Sequence, residues 1–186
     1  AQFQTSSKNA KTAWFHASSM GEFEQTRPLL EAFKDRHPEY KIFVTFFSPS
    51  GYEPRKNYPF ADAVAYLPVD TPRNASKLIQ FIRPQVAFFA KYDFWFNFLN
   101  SLRKNNVNTY LFSATFRRSQ YFFKWYGKWF RNHLSSCFSH IFVQDLSSLK
   151  ILQNNNINNC SIAHDTRFDR VYAIAQESKR FEEIEA

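Results

Sequence analysis

The stretch Trp14-Phe-His-Ala-Ser-Ser-Met-Gly-Glu-Phe-Glu-Gln25 holds the residues best placed to do chemistry. An apolar run, Ala13 to Phe15, reads as a buried strand, and small polar residues and Gly21 break it. A segment rich in Glu then reads as the start of a helix. In a parallel α/β sheet this kind of junction lies at the carboxyl ends of the strands, where ligands bind. Gly21, one of only three glycines in the chain, would allow a tight turn or a close approach of backbone to ligand. It presents Glu22 at the mouth of the crevice. A carboxylate there can act as a general base if it is ionised and within reach of a hydroxyl. It can equally be a helix-end charge placed for the macrodipole.

Other residues invite the same double reading. Asp93 follows the apolar run Val86 to Ala90, again at a strand's carboxyl end, where it can line an acceptor site or cap the next helix. Ser48, Ser50 and Gly51 form a small polar loop that suits an anion or an ordinary capped turn. Arg117 and Arg118 can grip phosphate or carboxylate in fork geometry, or lie solvated at the surface. His16 ends the first strand, where it is expected close to Glu22, either orienting it or merely packing. Lone histidines are no evidence of a metal site, and no metal is expected. Nor does any GxGxxG or Walker lysine loop follow a strand, so no nucleotide cofactor is expected on this domain.

These residues need a scaffold, and 186 residues are enough for one domain with a substantial core. Short apolar runs near 12–16, 41–47, 63–67, 86–90, 109–113, 140–144 and 160–163 predict seven strands. Amphipathic stretches near 22–36, 51–57, 72–82, 94–105, 118–134 and 145–154 predict the helices between them, with a last one from about 168. Repeating β-α units with nearly continuous apolar strands predict a Rossmann-like parallel sheet with helices on both faces. Asp70-Thr-Pro-Arg offers a helix start and Arg83-Pro84 a helix end. Pro28 falls inside the first helical pattern, so that helix is expected to begin late or to kink.

Charge is distributed unevenly. The net value is +8, yet residues 94–144 contain no Asp or Glu and hold Arg103, Lys104, Arg117, Arg118, Lys124, Lys128 and Arg131. A random scatter of 16 acids would rarely leave 51 positions empty, so a basic face that meets something anionic is expected. Within it, Tyr121, Phe122, Phe123, Trp125, Tyr126, Trp129 and Phe130 interleave with Lys124 and Lys128. An anionic leaflet or acyl chains would suit that mixture, as would single-stranded nucleic acid. Cys137 and Cys160 lack metal-ligand spacing and read as core thiols of a reducing compartment. No apolar run is long enough to span a bilayer.

Seven segments carry a resemblance. They are His16-Ala-Ser-Ser-Met-Gly-Glu22, Val44-Thr-Phe-Phe-Ser-Pro-Ser-Gly51, Tyr66-Leu-Pro-Val-Asp-Thr-Pro72 and Lys91-Tyr-Asp-Phe-Trp95, then Ser113-Ala-Thr-Phe-Arg117, His140-Ile-Phe-Val-Gln-Asp145 and Asp165-Thr-Arg-Phe-Asp169. In this order and spacing the chain resembles the bacterial Kdo transferases, which attach 3-deoxy-D-manno-octulosonic acid to lipid A. The resemblance runs from about residue 12 to 172. It implies the N-terminal half of a GT-B glycosyltransferase. Residues 1–172 would form the acceptor-binding domain, and 173–186 would begin the connection to a C-terminal domain that holds CMP-Kdo.

By the same resemblance Glu22 is the catalytic base of an inverting transfer. Ser19, Gly21, Ser48, Ser50, Gly51, Lys91, Asp93, Arg117 and Arg118 are acceptor-site residues, and Trp125, Lys128 and Trp129 touch membrane or acyl chains. The family usually has Glu at position 93, Pro at 96 and Gly at 164, where this chain has Asp93, Phe96 and His164. The implied partners are a lipid A precursor, CMP-Kdo through the second domain, and the anionic cytoplasmic face of the inner membrane, with no nucleic acid. The opening at Ala1 rather than Met, ahead of a polar stretch, reads as a trimmed start, and family members usually carry a hydrophobic anchor upstream. The 186 residues alone are expected to be inactive. Two alternatives remain at this point: a GT-B transferase with another acceptor, or a basic aromatic module that binds nucleic acid or membrane.

Overall fold

The computed structural model describes residues 11–120, 123–124 and 127–163. Seven parallel strands form one sheet: β1 (Lys11–Ala17), β2 (Tyr40–Phe46), β3 (Ala63–Tyr66), β4 (Val86–Ala90), β5 (Asn108–Ala114), β6 (His140–Val143) and β7 (Cys160–Ile162). Their order is β3-β2-β1-β4-β5-β6-β7, so the chain moves outward one way through β2 and β3 and then returns to build the other half from β4. The reversal sets a topological switch point between β1 and β4, where crevices form in sheets of this kind.

Six helices connect the strands: α1 (Met20–Arg36), α2 (Pro49–Arg55), α3 (Pro72–Ile82), α4 (Phe96–Lys104), α5 (Lys128–Cys137) and α6 (Leu146–Gln153). β1 is buried from Thr12 onward, because helices cover it on both faces. Its alternate side chains feed two cores. Ala13, Phe15 and Ala17 pack with Phe23, Leu30 and Phe46 under α1 and α2. Trp14 joins Phe89, Phe98, Leu99 and Ile79 under α3 and α4, a cluster that runs on to Leu134, Ile141 and Leu152. Trp14 meets Phe89 and Phe98 edge-on, at 5.1 and 5.9 Å between ring centroids.

All seven predicted strands are present, and the helices differ in instructive places. α1 does not begin late: it starts at Met20 and runs through Pro28, with the Thr26 hydroxyl bonding the Glu22 carbonyl at 2.8 Å. α3 is capped by Thr71, whose Oγ1 accepts from the Asn74 amide, and ends at Arg83 in the left-handed region. Asp70 caps a different helix. Its carboxylate accepts from the Asn97 and Phe98 amides, both at 3.1 Å, at the start of α4, whose own cap residue Trp95 has no side chain for the task. The stretch predicted as a helix over 118–134 starts only at Lys128, after Gly127, and runs on to Cys137. A turn precedes it, held by Gln120, which accepts from the Arg117 amide and returns its own amide to the Arg117 carbonyl.

No helix among the described residues is long and apolar enough to cross a membrane. Cys137 and Cys160 are buried free thiols. The helix expected from about 168, His164, the segment 165–169, the connection 173–186, and the side chains of Tyr121, Phe122, Trp125 and Tyr126 lie outside the described residues.

Candidate active site

Glu22 stands in the first turn of α1, directly after β1, so its charge also complements the helix dipole. Ser19 is the N-cap residue and Glu22 lies three positions on, the pattern of a capping box. The serine does not cap, however. Its hydroxyl donates to Glu22 Oε2 instead, and Lys91 Nζ approaches Oε1 at 3.4 Å. Partial burial works to raise the Glu22 pKa, but the Ser19 hydroxyl and the Lys91 ammonium outweigh it and hold the carboxyl below its usual value. Glu22 is therefore an anion at neutral pH, half-buried and still reachable from solvent.

Lys91 reaches that position from an unusual backbone. Its φ is 53°, in the left-handed region, and its amide bonds the Phe112 carbonyl at 2.9 Å. A lysine held there costs on the order of 1–3 kcal/mol, the kind of strain that surrounding structure maintains at functional sites. Ser113, at the irregular end of β5, shares the feature with φ 53°.

Asp93 is 8% exposed, and no helix begins on it. The Ser18 hydroxyl donates to Asp93 Oδ1, while Oδ2 has no hydrogen-bond partner and lies 3.8 Å from His16 Nε2. Burial pushes the Asp93 carboxyl up to about 7, against the Ser18 bonds, and the Glu22 charge pushes the same way. His16 is fully buried. Its Nδ1 shares a 2.8 Å hydrogen bond with Thr45 Oγ1, which also accepts from the Trp14 indole at 2.8 Å. Desolvation lowers the His16 pKa to about 3, so the imidazole is neutral. The polar contacts described for His16 are to Ser18, Asp93 and Thr45, and its ring neighbours are Phe89 and Trp95.

The structure thus gathers Ser19, Glu22, Lys91 and Asp93, from either side of the switch point, into one cluster. The Ser18 carbonyl ties that cluster to the next loop by accepting from the Ser48 amide at 2.8 Å. Ser48 and Ser50 bond each other at 2.9 Å on the rim. Gly21 has no positive φ, and a Cβ there would meet only Ser19 Oγ at 3.7 Å, so no turn demands it. Gly51 faces Phe46, whose Cδ1 would lie 2.3 Å from an added Cβ; packing accounts for this glycine.

Arg117 and Arg118 are exposed, and Arg118 lines a groove with Phe123, Ile151 and Asn154 beside α6, outside the carboxylate cluster. The aromatic segment divides. Phe116 is buried, Phe123 and Phe130 pack on the core, and Trp129 is 65% exposed. Trp129 lies against Phe96 and His133, and Phe47, 51% exposed, lies against Trp95 at 4.9 Å. Lys128 is exposed in the first turn of α5. Among the described residues no group of three His, Cys, Asp or Glu side chains is arranged to hold a metal ion.

Sequence reading passed over Ser18 and Thr45. Thr45 had a signal, a hydroxyl within the buried apolar run Ile42 to Phe46 of β2. Ser18 had none beyond its place beside Ser19, since its partner is 75 residues away.

Comparison with known proteins places this chain in a family. The family model described as 3-deoxy-D-manno-octulosonic-acid transferase (kdotransferase) matches residues 1–170. The 3-deoxy-D-manno-octulosonic acid transferase of Haemophilus influenzae is 31% identical over 130 residues, 69% of this chain and 30% of the relative. That of Aquifex aeolicus is 33% identical over 90 residues, 47% of this chain and 25% of the relative. The chain therefore spans under a third of the relatives it matches. Among solved structures, the UDP-GlcNAc 2-epimerase of Neisseria meningitidis bound to UDP-GlcNAc superposes with a TM-score of 0.67 at 11% identity, over 90% of this chain and 50% of that one. The epimerase of Methanocaldococcus jannaschii gives 0.63 at 14%, over 86% of this chain and 46% of its own. At these identities the likeness is one of fold: the chain has the architecture of half a GT-B-type protein.

Proposed function

This chain belongs to the 3-deoxy-D-manno-octulosonic-acid transferase family, and on that premise we propose that it forms the acceptor-binding half of an inverting Kdo transferase. Glu22 is the general base. Its carboxylate takes the proton of a lipid A sugar hydroxyl as that oxygen bonds to the anomeric carbon of CMP-Kdo. The bond from that carbon to the phosphate oxygen breaks, and CMP leaves with the electron pair. A second domain, beyond about residue 172, holds the donor, and the isolated 186 residues have no turnover. Nothing in this chemistry requires a metal or cofactor on this half.

One observation carries the reading: an ionised, half-exposed carboxylate at the switch point of the sheet, held by Ser19 and Lys91. Acceptor phosphates would meet Lys91 and the Ser48–Ser50 rim, while Phe47, Trp129 and Lys128 face acyl chains and an anionic leaflet. On this reading the enzyme works at the cytoplasmic face of the inner membrane. Among the described residues, Phe116 is buried and Phe123 and Phe130 pack on the core, so these three rings are not presented for base stacking.

The test is Glu22→Gln in the full-length protein, with CMP-Kdo and a lipid A precursor. Loss of a general base costs on the order of 10²–10⁴-fold in rate, with acceptor binding retained. Near-normal turnover would reduce Glu22 to a helix-end charge.

A further inference from the structure

We propose that His16 is a positioning residue for Glu22, acting as a neutral imidazole through Asp93 and the consecutive hydroxyls of Ser18 and Ser19. The inference rests on the reading of Glu22 as base but concerns residues behind it. Ser18 Oγ lies 3.5 Å from His16 Nε2 and donates to Asp93; Ser19 Oγ donates to Glu22. Two carboxyl groups from opposite sides of the switch point are thus fixed by neighbouring hydroxyls of one short loop. The loop can hold both in aim only if Ser18 is itself fixed, and His16 and Asp93 are what it faces.

The pair His16 and Asp93 is built to hold one proton without net charge. His16 is wholly buried and anchored at Nδ1 by Thr45, which Trp14 holds in turn, so Nε2 has a set direction. Nε2 lies 3.8 Å from Asp93 Oδ2, which closes no hydrogen bond; the Trp95 indole also faces this carboxyl group and works against its protonation. A buried carboxylate is costly, whereas a carboxylic acid can turn its O–H toward Nε2 in the tautomer whose Nδ1–H donates to Thr45. The charged groups facing Asp93 are Glu22 from α1 and, across Glu22, Lys91 from its own loop; His16 faces it from β1. Glu22 favours the protonated form of Asp93, and burial does so more strongly. The working site therefore has Glu22 ionised and Asp93 protonated, two carboxyl groups separated in role by their surroundings. Once Asp93 loses its proton, the loop carries two repelling anions and Glu22 loses its aim.

The experiment uses the full-length protein with His16→Phe, which fills the space without ring nitrogens, and His16→Asn, which keeps one hydrogen-bonding group. His16→Phe is expected to lower kcat by roughly ten- to a hundredfold, the scale of loss from a small misplacement, with the acceptor KM within about twofold. In the wild type, kcat/KM should fall with an upper inflection near 7, the value set for Asp93 by burial. That inflection moves upward in His16→Phe, because Asp93 then lies in still more apolar surroundings. His16→Asn recovers part of the rate and shows a smaller shift, and it carries the test if the Phe variant does not fold. A carboxyl ¹³C titration of Asp93 reads the same midpoint without substrate. If the wild type transfers no Kdo, the proposed reaction fails while this titration still decides the role of His16. A midpoint near 4 in the wild type, or one unmoved in both variants, would overturn the positioning role, as would wild-type kcat in His16→Phe.

Discussion

The hydroxyls of Ser18 and Ser19, neighbours in the chain, serve different carboxyl groups: the first donates to Asp93 and the second to Glu22. The strand-to-helix turn after β1 thereby does in two residues what would otherwise take contributions from two loops. Ser19 Oγ turns toward Glu22 and accepts from no backbone N–H of α1, so the serine at the cap position does not cap.

Lys91 lowers the Glu22 pKa together with Ser19. Replacing Lys91 with Met removes the ammonium while keeping most of the stem. The low-pH limb of kcat/KM, where Glu22 must lose its proton, should then move toward higher pH. Measured from pH 3 to 9 in the full-length protein, an unmoved limb would mean that Lys91 does not control the base.

Asp93 and His16 make opposite contributions to stability with pH. The folded-state pKa of Asp93 is raised from 3.8 to about 7, so its favourable contribution is complete below about 4 and is lost as pH rises toward 7. His16 is lowered from 6.5 to about 3, so its contribution is present above about 6.5 and is lost as pH falls toward 3. Each can amount to a few kcal/mol, on the order of 1.4 per unit. Asp93→Asn should remove the first dependence, so that its melting temperature rises relative to wild type between pH 5 and 8. Parallel melting curves for the two proteins would refute this.

Gly51 is set by packing, so Gly51→Ala should destabilise without touching the carboxylates. An added Cβ lies 2.3 Å from Phe46 Cδ1, and Phe46 is fully buried against Phe23. Overpacking of this kind costs about 1–3 kcal/mol. Urea denaturation should read that loss, whereas a neutral result would show that Phe46 can rotate away.

Much of this site could be read before the fold. Glu22 and Asp93 each follow an apolar run, and the parallel β-α pattern sends both to the carboxyl edge of the sheet. The central strands were legible because parallel strands inside a sheet are buried on both faces and so are nearly continuously apolar. What could not be read was pairing across distance. His16 and Asp93 meet because β1 and β4 are neighbours, a fact of strand order that no local pattern contains. Asp70 looked like the start of its own helix and caps another one, since Thr71 was equally able to cap α3. The late start of α5 escaped for a related reason. Phe116 and Phe123 reach the core ahead of α5, which the aromatic run around them did not reveal.

The basic section offers a final test of the membrane reading. Arg117, Arg118, Lys124 and Lys128 are all exposed, and no acid lies within residues 94–144 to offset them. Basic residues at an anionic surface contribute roughly 1 kcal/mol each. Arg118 faces the α6 groove, so the four do not all point one way and about half to three quarters of the sum is expected. Replacing the four with Gln in the full-length protein should weaken binding to anionic vesicles about a hundredfold at low salt. The difference should shrink as salt rises, because screening has by then weakened the wild type as well. Trp129→Ala should behave differently. Its ring is 65% exposed and rests on Phe96 and His133, so its contribution comes from apolar area that salt does not screen. Equal wild-type binding to neutral and anionic vesicles, with the four-Gln variant indistinguishable from wild type, would assign the basic face to another partner, and oligonucleotide binding would be the next measurement.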